Sequence, residues 1–286
     1  MAQILKGAPV VEAINKRMTD DVEMLKAKGV NPTLAILRVG ERPEDLSYEK
    51  GATKKAEAVG VAVRHIVLPA DTTQAELEAE IVKLNEDTGV HGILMFRPLP
   101  DGLDGERARQ LLSPAKDIDG CTDGSLAGVF TNSEVGFPPC TAQAALEVLD
   151  FYEVPLRGKR AAVVGRSLVV GRCAAMMLMH RDATVSICHT KTADVAAVTS
   201  LCDVVITAAG KLHYYDENYA NDKQIIIDVG INWDEKKGGI SGDVDFETVE
   251  PIVKALTPVP GGVGAVTSCV LISHVVEAAK RASIKK

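Results

Sequence analysis

The spacing of apolar residues predicts alternating helices and strands in the first half of the chain. From Val10 to Val22 an apolar residue stands at every fourth position, between Pro9 and Gly29, which predicts a helix with start and stop signals. Two more helices are predicted, over residues 43–59 and around residues 77–84. Short continuous apolar runs between the helices predict strands at residues 34–37 and 92–96, and residues 61–68 are also strand-like. This alternation is typical of a parallel sheet covered by helices.

The second half of the chain continues the same alternation. A helix is predicted over residues 142–151, another over 174–180 and a last one over 266–281. Buried strands are predicted at residues 161–164, 183–188, 203–208 and 225–230. We therefore predict an α/β protein of two domains, residues 1–140 and residues 141–265. The C-terminal stretch 266–286 is expected to pack back onto the first domain.

Composition and charge narrow the classes of function. The 286 residues are 46% hydrophobic and carry a net charge of −7, which suits a globular protein with a real core. Binding to nucleic acid needs clustered Lys and Arg, so nucleic acid is not expected as a partner. No signal peptide is recognisable at the N-terminus, and no apolar run is expected to approach the ~18–20 residues of a membrane span. We expect a cytoplasmic protein without a membrane partner.

Cysteine and histidine spacing gives no indication of a metal site. The six cysteines form no CxxC pair, and the six histidines are scattered without ligand-like spacing. Buried, reduced thiols are the expected state of the cysteines.

A glycine-rich turn follows the strand predicted at residues 161–164. Gly165 and Gly171 enclose this turn, and a helix follows it, so that backbone N–H groups and the helix N-terminus can bind a phosphate. The GxxxxxG spacing differs from the usual GxGxxG. Taken alone, it fits a dinucleotide site and an ordinary strand–helix turn equally well.

The end of the next strand bears on the choice of dinucleotide. Sites that prefer NAD place Asp or Glu here to bind the ribose 2′-hydroxyl. This chain instead has Cys188-His189-Thr190-Lys191-Thr192, with no acid. A hydroxyl, a histidine and a lysine can accept a 2′-phosphate, which favours NADP over NAD. The alternative is that His189 and Lys191 are solvated loop residues.

Motifs along nearly the whole chain resemble the methylenetetrahydrofolate dehydrogenase/cyclohydrolase family. In the first half they are Val39-Gly40 with Tyr48, Pro98-Leu99-Pro100, Lys116-Asp117-Ile118-Asp119-Gly120 and Pro139-Cys140-Thr141. In the second half they are Gly165-Arg166-Ser167, the string at 188–192, Asp228-Val229-Gly230-Ile231-Asn232, Gly242-Asp243-Val244-Asp245-Phe246 and Thr257-Pro258-Val259-Pro260-Gly261-Gly262-Val263-Gly264.

The resemblance implies a fold, an activity and a set of site residues. An N-terminal α/β folate domain and a C-terminal Rossmann-like NAD(P) domain would enclose the folate in a cleft, and the enzyme, a homodimer, would serve one-carbon metabolism. Tyr48 would stack on the folate and Asp119 would hold the pterin, an aromatic face and a carboxylate being suited to those tasks. The implied substrate contacts also include Pro98, Leu99, Pro260, Gly261 and Gly262. The implied cofactor contacts are Gly165, Arg166, Ser167, Gly171, His189, Thr190, Lys191 and Ile231.

Two departures from the family pattern bear on its second, hydrolytic reaction. The family's lysine four residues after the tyrosine is Ala52 here, and its Gln before Leu-Pro-Leu-Pro is Phe96. Hydride transfer needs alignment, whereas hydrolysis of a methenyl group needs positioned proton transfer, which neither residue can supply. Lys55 returns to the helix face of Tyr48 about one turn further on and is a candidate surrogate.

We therefore predict a dehydrogenase with weak or absent cyclohydrolase activity. One alternative is the full bifunctional enzyme, with Lys55 or solvent compensating. Another is a non-catalytic regulator that binds nucleotide or folate, because the fold alone does not fix the function.

Overall fold

The computed structural model describes residues 1–284 and divides into two compact units. The six-stranded unit comprises Met1–Glu12 and Pro139–Thr267, and the three-stranded unit comprises Ala13–Pro138 and the chain from Ser268 onward. Each unit has its own parallel sheet, so the predicted α/β fold class is confirmed.

The described residues contain eleven strands and ten α-helices. The strands are β1 (Gln3–Ile4), β2 (Thr33–Val39), β3 (Ala62–Leu68), β4 (Gly92–Met95), β5 (Arg160–Val164), β6 (Thr184–Cys188), β7 (Val204–Thr207), β8 (Ile225–Asp228), β9 (Asn232–Asp234), β10 (Gly239–Ser241) and β11 (Ala255–Leu256). The helices are α1 (Gly7–Ala27), α2 (Pro43–Ala58), α3 (Gln74–Glu86), α4 (Gly105–Leu111), α5 (Asp123–Thr131), α6 (Cys140–Phe151), α7 (Gly171–Met179), α8 (Val195–Thr199), α9 (Phe246–Val249) and α10 (Val263–Ile284).

The sheet of the three-stranded unit has the order β3–β2–β4, and all its strands are parallel. The central strand β2 is buried along its whole length, as its continuous apolar run requires. Leu37 pairs with Met95, so the carboxyl ends of β2 and β4 lie side by side. The loops that follow these two strands therefore begin at the same edge of the sheet.

The six-stranded sheet has the order β1–β11–β8–β7–β5–β6 and is parallel throughout. From β5 the chain adds β6 on one side and then places β7 on the other side of β5. Such a reversal opens a crevice at the carboxyl ends of the strands, where open α/β sheets bind ligands. A separate antiparallel hairpin joins β9 and β10.

The first twelve residues differ from the predicted domain division. The sequence placed them with residues 13–140, whereas they belong to the six-stranded unit. The reason is that Gln3 and Ile4 pair with Ala255 and Leu256 as an edge strand, and the Gly7 N–H donates to the Gly261 carbonyl at 2.8 Å. Two-residue strands carry no periodic signal, so β1 and β11 escaped prediction.

The longest helix corrects the expectation about membrane-span length. Within residues 1–284, α10 is long enough and apolar enough to cross a membrane, judged by length and composition alone. However, 61% of its most apolar window is buried inside the fold, as in the core helix of a soluble protein. The same helix carries a buried histidine in the three-stranded unit. The His274 ring lies 2.7 Å from the Ile118 carbonyl oxygen, and burial lowers the pKa of this histidine to about 4.

Candidate active site

The turn between β5 and α7 depends on both of its glycines. Gly165 has φ +140°, and a Cβ there would lie 2.1 Å from the Ala208 carbonyl oxygen. A Cβ on Gly171 would lie 2.2 Å from the Gly165 carbonyl oxygen. Neither position has room for a side chain, so only glycine allows this tight turn between β5 and α7.

Ser167 organises the middle of this turn. Its Oγ accepts hydrogen bonds from the N–H groups of Val170 at 3.2 Å and Gly171 at 3.4 Å, at the N-terminus of α7. The Arg172 Nε–H donates to the Arg166 carbonyl at 3.1 Å, which holds the other side of the turn. The result is an ordered, exposed loop before a helix N-terminus, an arrangement suited to binding a phosphate.

The loop after β6 lies directly beside that turn. The Gly165 N–H donates to the Cys188 carbonyl at 2.9 Å, which joins the ends of β5 and β6. The loop then folds on itself, because Thr192 Oγ1 accepts from the His189 N–H at 2.9 Å and His189 Nδ1 accepts from the Lys191 N–H at 3.1 Å. Thr190 and Lys191 are exposed, and no acidic side chain occurs between residues 188 and 193.

Two buried carboxylates hold the other loops at the carboxyl edge of the six-stranded sheet. Asp228 accepts from Thr207 Oγ1 at 2.9 Å and from the Val244 N–H at 2.9 Å. Asp243 accepts from the backbone N–H groups of residues 209, 210 and 211 at 2.6–3.0 Å. Burial raises the pKa of Asp228 to about 6, although its donors act in the opposite direction. The pair connects the three segments that follow β7, β8 and β10.

The turn after β11 is equally compact. Thr257 Oγ1 accepts from the Asp228 N–H at 2.7 Å, and a Cβ on Gly262 would lie 2.4 Å from the Pro258 carbonyl oxygen. Pro260 and Gly261 are exposed on this turn, as is Ile231 on the loop after β8. Glycine here permits backbone packing that no other residue would allow.

In the three-stranded unit, Tyr48 and Phe96 meet at the carboxyl edge of the sheet. Their ring centroids are 5.6 Å apart at 72°, an edge-to-face contact. Tyr48 is 48% exposed, so one part of its ring is open to a ligand, whereas Phe96 is 7% exposed. Ala52, one helical turn after Tyr48, is 6% exposed. No amine lies at that position of α2.

Lys55 and Asp119 have distinct surroundings in the same unit. The Lys55 ammonium donates to the Ser268 hydroxyl at the start of this unit's part of α10. The Asp119 carboxylate lies 3.7 Å from the Arg97 guanidinium, and its side chain is 44% exposed. Pro98 and Leu99 follow Arg97 and line an open pocket with it.

Several structurally important residues in and around these regions escaped sequence reasoning. Asp117 is fully buried and accepts from the Thr122 N–H and the Ser125 hydroxyl, both at 2.7 Å. Glu49, next to Tyr48, accepts from Arg38 Nε at 2.6 Å. A carboxylate that holds a loop looks the same in a sequence as a surface acid. Only the Asp-rich string at residues 117–123 could have signalled Asp117, and no pattern marks Glu49.

All six cysteines are buried and free of disulfides. Burial raises the pKa of the Cys173 thiol, near the β5–α7 turn, to about 11, so it is an inert thiol at neutral pH. Within residues 1–284, no group of three His, Cys, Asp or Glu side chains is arranged to hold a metal ion.

Two family models match the chain in order. The model for the tetrahydrofolate dehydrogenase/cyclohydrolase catalytic domain matches residues 5–119, and the model for the NAD(P)-binding domain of the same family matches residues 139–283. The bifunctional protein FolD of Carboxydothermus hydrogenoformans is 46% identical over 279 residues, which cover 97% of each chain.

Solved structures agree with the family models. The bifunctional FolD methylenetetrahydrofolate dehydrogenase/cyclohydrolase of Campylobacter jejuni aligns with a TM-score of 0.93 and 37% identity, over 98% of this chain and 99% of that one. The methylenetetrahydrofolate dehydrogenase-cyclohydrolase of Trypanosoma brucei, solved with NADP and an inhibitor, aligns with a TM-score of 0.88 and 32% identity, over 100% and 99% of the two chains.

Proposed function

The chain belongs to the tetrahydrofolate dehydrogenase/cyclohydrolase family, and on that premise we propose that it oxidises 5,10-methylenetetrahydrofolate with NADP. The products are methenyl-tetrahydrofolate and NADPH. One observation carries this proposal: both family domains match in order, and the β5–α7 turn within the second retains the close backbone packing that a dinucleotide phosphate needs.

The residues of the six-stranded unit fit a dinucleotide. A Cβ on Gly165 or Gly171 would collide with backbone, so both glycines are needed for this tight turn. The exposed residues Arg166 and Ser167 within it would present their N–H groups to the pyrophosphate. Ile231 offers an exposed apolar contact after β8. The bound nicotinamide supplies the hydride chemistry, and the protein supplies alignment and electrostatics.

Four of the proposed folate contacts lie in the three-stranded unit. Tyr48 stacks on the folate, Asp119 accepts hydrogen bonds from the pterin, and Pro98 and Leu99 contact its rings. Pro260, Gly261 and Gly262, in the six-stranded unit, stay predicted folate contacts. Removal of a hydride leaves a delocalised cation, so the dehydrogenase step needs no general base.

Mixing the protein with methylene-tetrahydrofolate and NADP is expected to raise the absorbance of reduced nicotinamide. Asp119→Ala should lower kcat/KM for the folate by about tenfold or more, because a charge-assisted hydrogen bond to the pterin is lost. If both ligands bind in calorimetry but no nicotinamide is reduced, the chain is the non-catalytic regulator instead.

The preference for NADP rests on the loop after β6, where Thr190 and Lys191 are exposed and no acid faces the ribose. Lys191→Ala is expected to lower kcat/KM for NADP by about tenfold and to leave the value for NAD nearly unchanged. Lys223→Ala, another exposed lysine of the six-stranded unit, is the matched control. Equal losses with both dinucleotides would contradict a 2′-phosphate contact at Lys191.

The second reaction of the family is proposed to be weak or absent in this chain. Ala52 and Phe96 are buried against the Tyr48 region and offer no proton donor or acceptor side chain. The bifunctional alternative has support in the names of the relatives and in Lys55, whose ammonium is held by Ser268. Lys55 would then act as the surrogate for the missing lysine.

Three further predictions complete the proposal. The six-stranded unit is the dinucleotide domain and the three-stranded unit is the folate domain, in line with the matched models. We also propose a homodimer, as the family resemblance implies, and a cytoplasmic location, as the sequence features predict. A sedimentation-equilibrium mass of a single chain would contradict the dimer.

A further inference from the structure

Arg97 places a cation beside the proposed pterin-binding carboxylate. The family string Val-Gln-Leu-Pro-Leu-Pro is Met95-Phe96-Arg97-Pro98-Leu99-Pro100 here, so an arginine stands where the first Leu is expected. The Arg97 Nη2 lies 3.7 Å from Asp119 Oδ2. The two side chains are 34% and 44% exposed, so a ligand can reach both.

The backbone on both sides of this pair is fixed by the sheet. Before Arg97, the Phe96 N–H donates to the Leu37 carbonyl at 2.9 Å, which extends the β2–β4 pairing. Before Asp119, Asp117 forms a parallel bridge with Ile93, and its buried carboxylate holds the chain that follows. Arg97 and Asp119 therefore start from two neighbouring, well-ordered segments.

The pair is electrostatic rather than hydrogen-bonded. A separation of 3.7 Å exceeds the range of an N–H···O hydrogen bond. The Arg97 side chain is 34% exposed, so its guanidinium is open to solvent beside Asp119. Its planar set of N–H donors is thus available to a third group that lies between or beside the two side chains.

A 4-oxo pterin presents the complementary edge. Its 2-amino group and N3–H are donors that suit the Asp119 carboxylate, and the adjacent O4 is an acceptor that suits a guanidinium. We propose that Arg97 is a specificity-determining residue that donates to O4 of the folate while Asp119 accepts from the neighbouring donors. This inference rests on the proposed function, because it takes Asp119 as the pterin-binding residue.

The arrangement should select against a 4-amino pteridine. Replacing O4 by an amino group sets a donor against the Arg97 donors and removes the proton from N3, so both side chains lose a partner. Sites built to hydrogen-bond one group reject analogues that cover the site's polar groups without pairing them. With Arg97 present, the preference for the 4-oxo ring is therefore larger than Asp119 alone would give.

Calorimetric titration with folic acid and with aminopterin, its 4-amino counterpart, tests this directly. Both are measured near neutral pH, where neither pteridine ring carries an added proton and folic acid keeps its N3–H. The wild-type protein is expected to bind folic acid more tightly. Arg97→Leu should reduce the ratio of the two affinities by about tenfold, the value of one hydrogen bond to a charged group. Arg97→Lys should recover part of the ratio, since it retains the charge but not the planar fork.

Arg107→Leu is the matched control, because Arg107 is an exposed arginine of the same unit paired with Glu78. It should leave the ratio unchanged. A ratio in Arg97→Leu within twofold of wild type, with the folded state verified by circular dichroism, would overturn the proposal. The readout is binding, so it is independent of turnover. Selective binding without nicotinamide reduction would sink the proposed dehydrogenase and leave the role of Arg97 intact.

Discussion

Replacing Ala52 by lysine and Phe96 by glutamine together is expected to raise methenyl-tetrahydrofolate hydrolysis by about a hundredfold. The change restores an amine one turn after Tyr48 and an amide beside it, the two groups that the family pattern places there. The amine can move a proton to or from the attacking water, and the amide can hold the amine in position by a hydrogen bond. Loss of methenyl absorbance above the buffer rate measures the effect.

The single variants separate the contributions of the two positions. Ala52→Lys alone should give little hydrolysis, because residue 52 is 6% exposed and the new ammonium would be desolvated against Phe96. Lys55→Met in the otherwise unchanged chain tests the bifunctional alternative. Rapid hydrolysis by the wild-type protein that disappears in Lys55→Met would refute the proposal that this activity is weak.

Gly165→Ala is expected to destabilise the fold by about 3 kcal/mol and to weaken dinucleotide binding by at least about a hundredfold. The added Cβ would lie 2.1 Å from the Ala208 carbonyl oxygen, and φ at this position is +140°. Relief requires β5 to move away from β7, which displaces the turn before α7. Thermal unfolding and titration with NADP measure the two effects.

Gly210→Ala is the matched control for this change. Gly210 also has a positive φ, +64°, and lies in the same unit, but a Cβ added there would meet no heavy atom within 4 Å. Only the backbone strain of about 1 kcal/mol is expected there. Equal destabilisation by the two variants would mean that the close approach of Gly165 to Ala208 contributes nothing beyond its φ.

The regular elements could be predicted because their apolar patterns are long or continuous. In α1 a buried apolar residue recurs at every fourth position, and in β2 the apolar run is unbroken and wholly buried, so the sequence shows both patterns directly. Short elements left no such trace. The two-residue strand β1 gained its structure from a partner some 250 residues away, which no local pattern records.

For the candidate site, sequence reasoning identified the residues that carry a motif and missed those that act through contacts. Gly165 and Gly171 stood out because they enclose the turn between a predicted strand and a predicted helix. Asp243 did not reveal that it would accept from three successive backbone N–H groups. No sequence pattern marked Arg97 as a site residue, because its distance from Asp119 depends on how β4 pairs in the sheet.

The edge position of β1 limits how gene recombination can exchange the six-stranded unit. Without residues 1–12, β11 would become the open edge of the six-stranded sheet, and unpaired strand edges invite aggregation. A gene that acquired only the segment from residue 139 onward by recombination would therefore encode a six-stranded unit without its edge strand β1. The six-stranded unit can be exchanged intact only when residues 1–12 move together with residues 139–267.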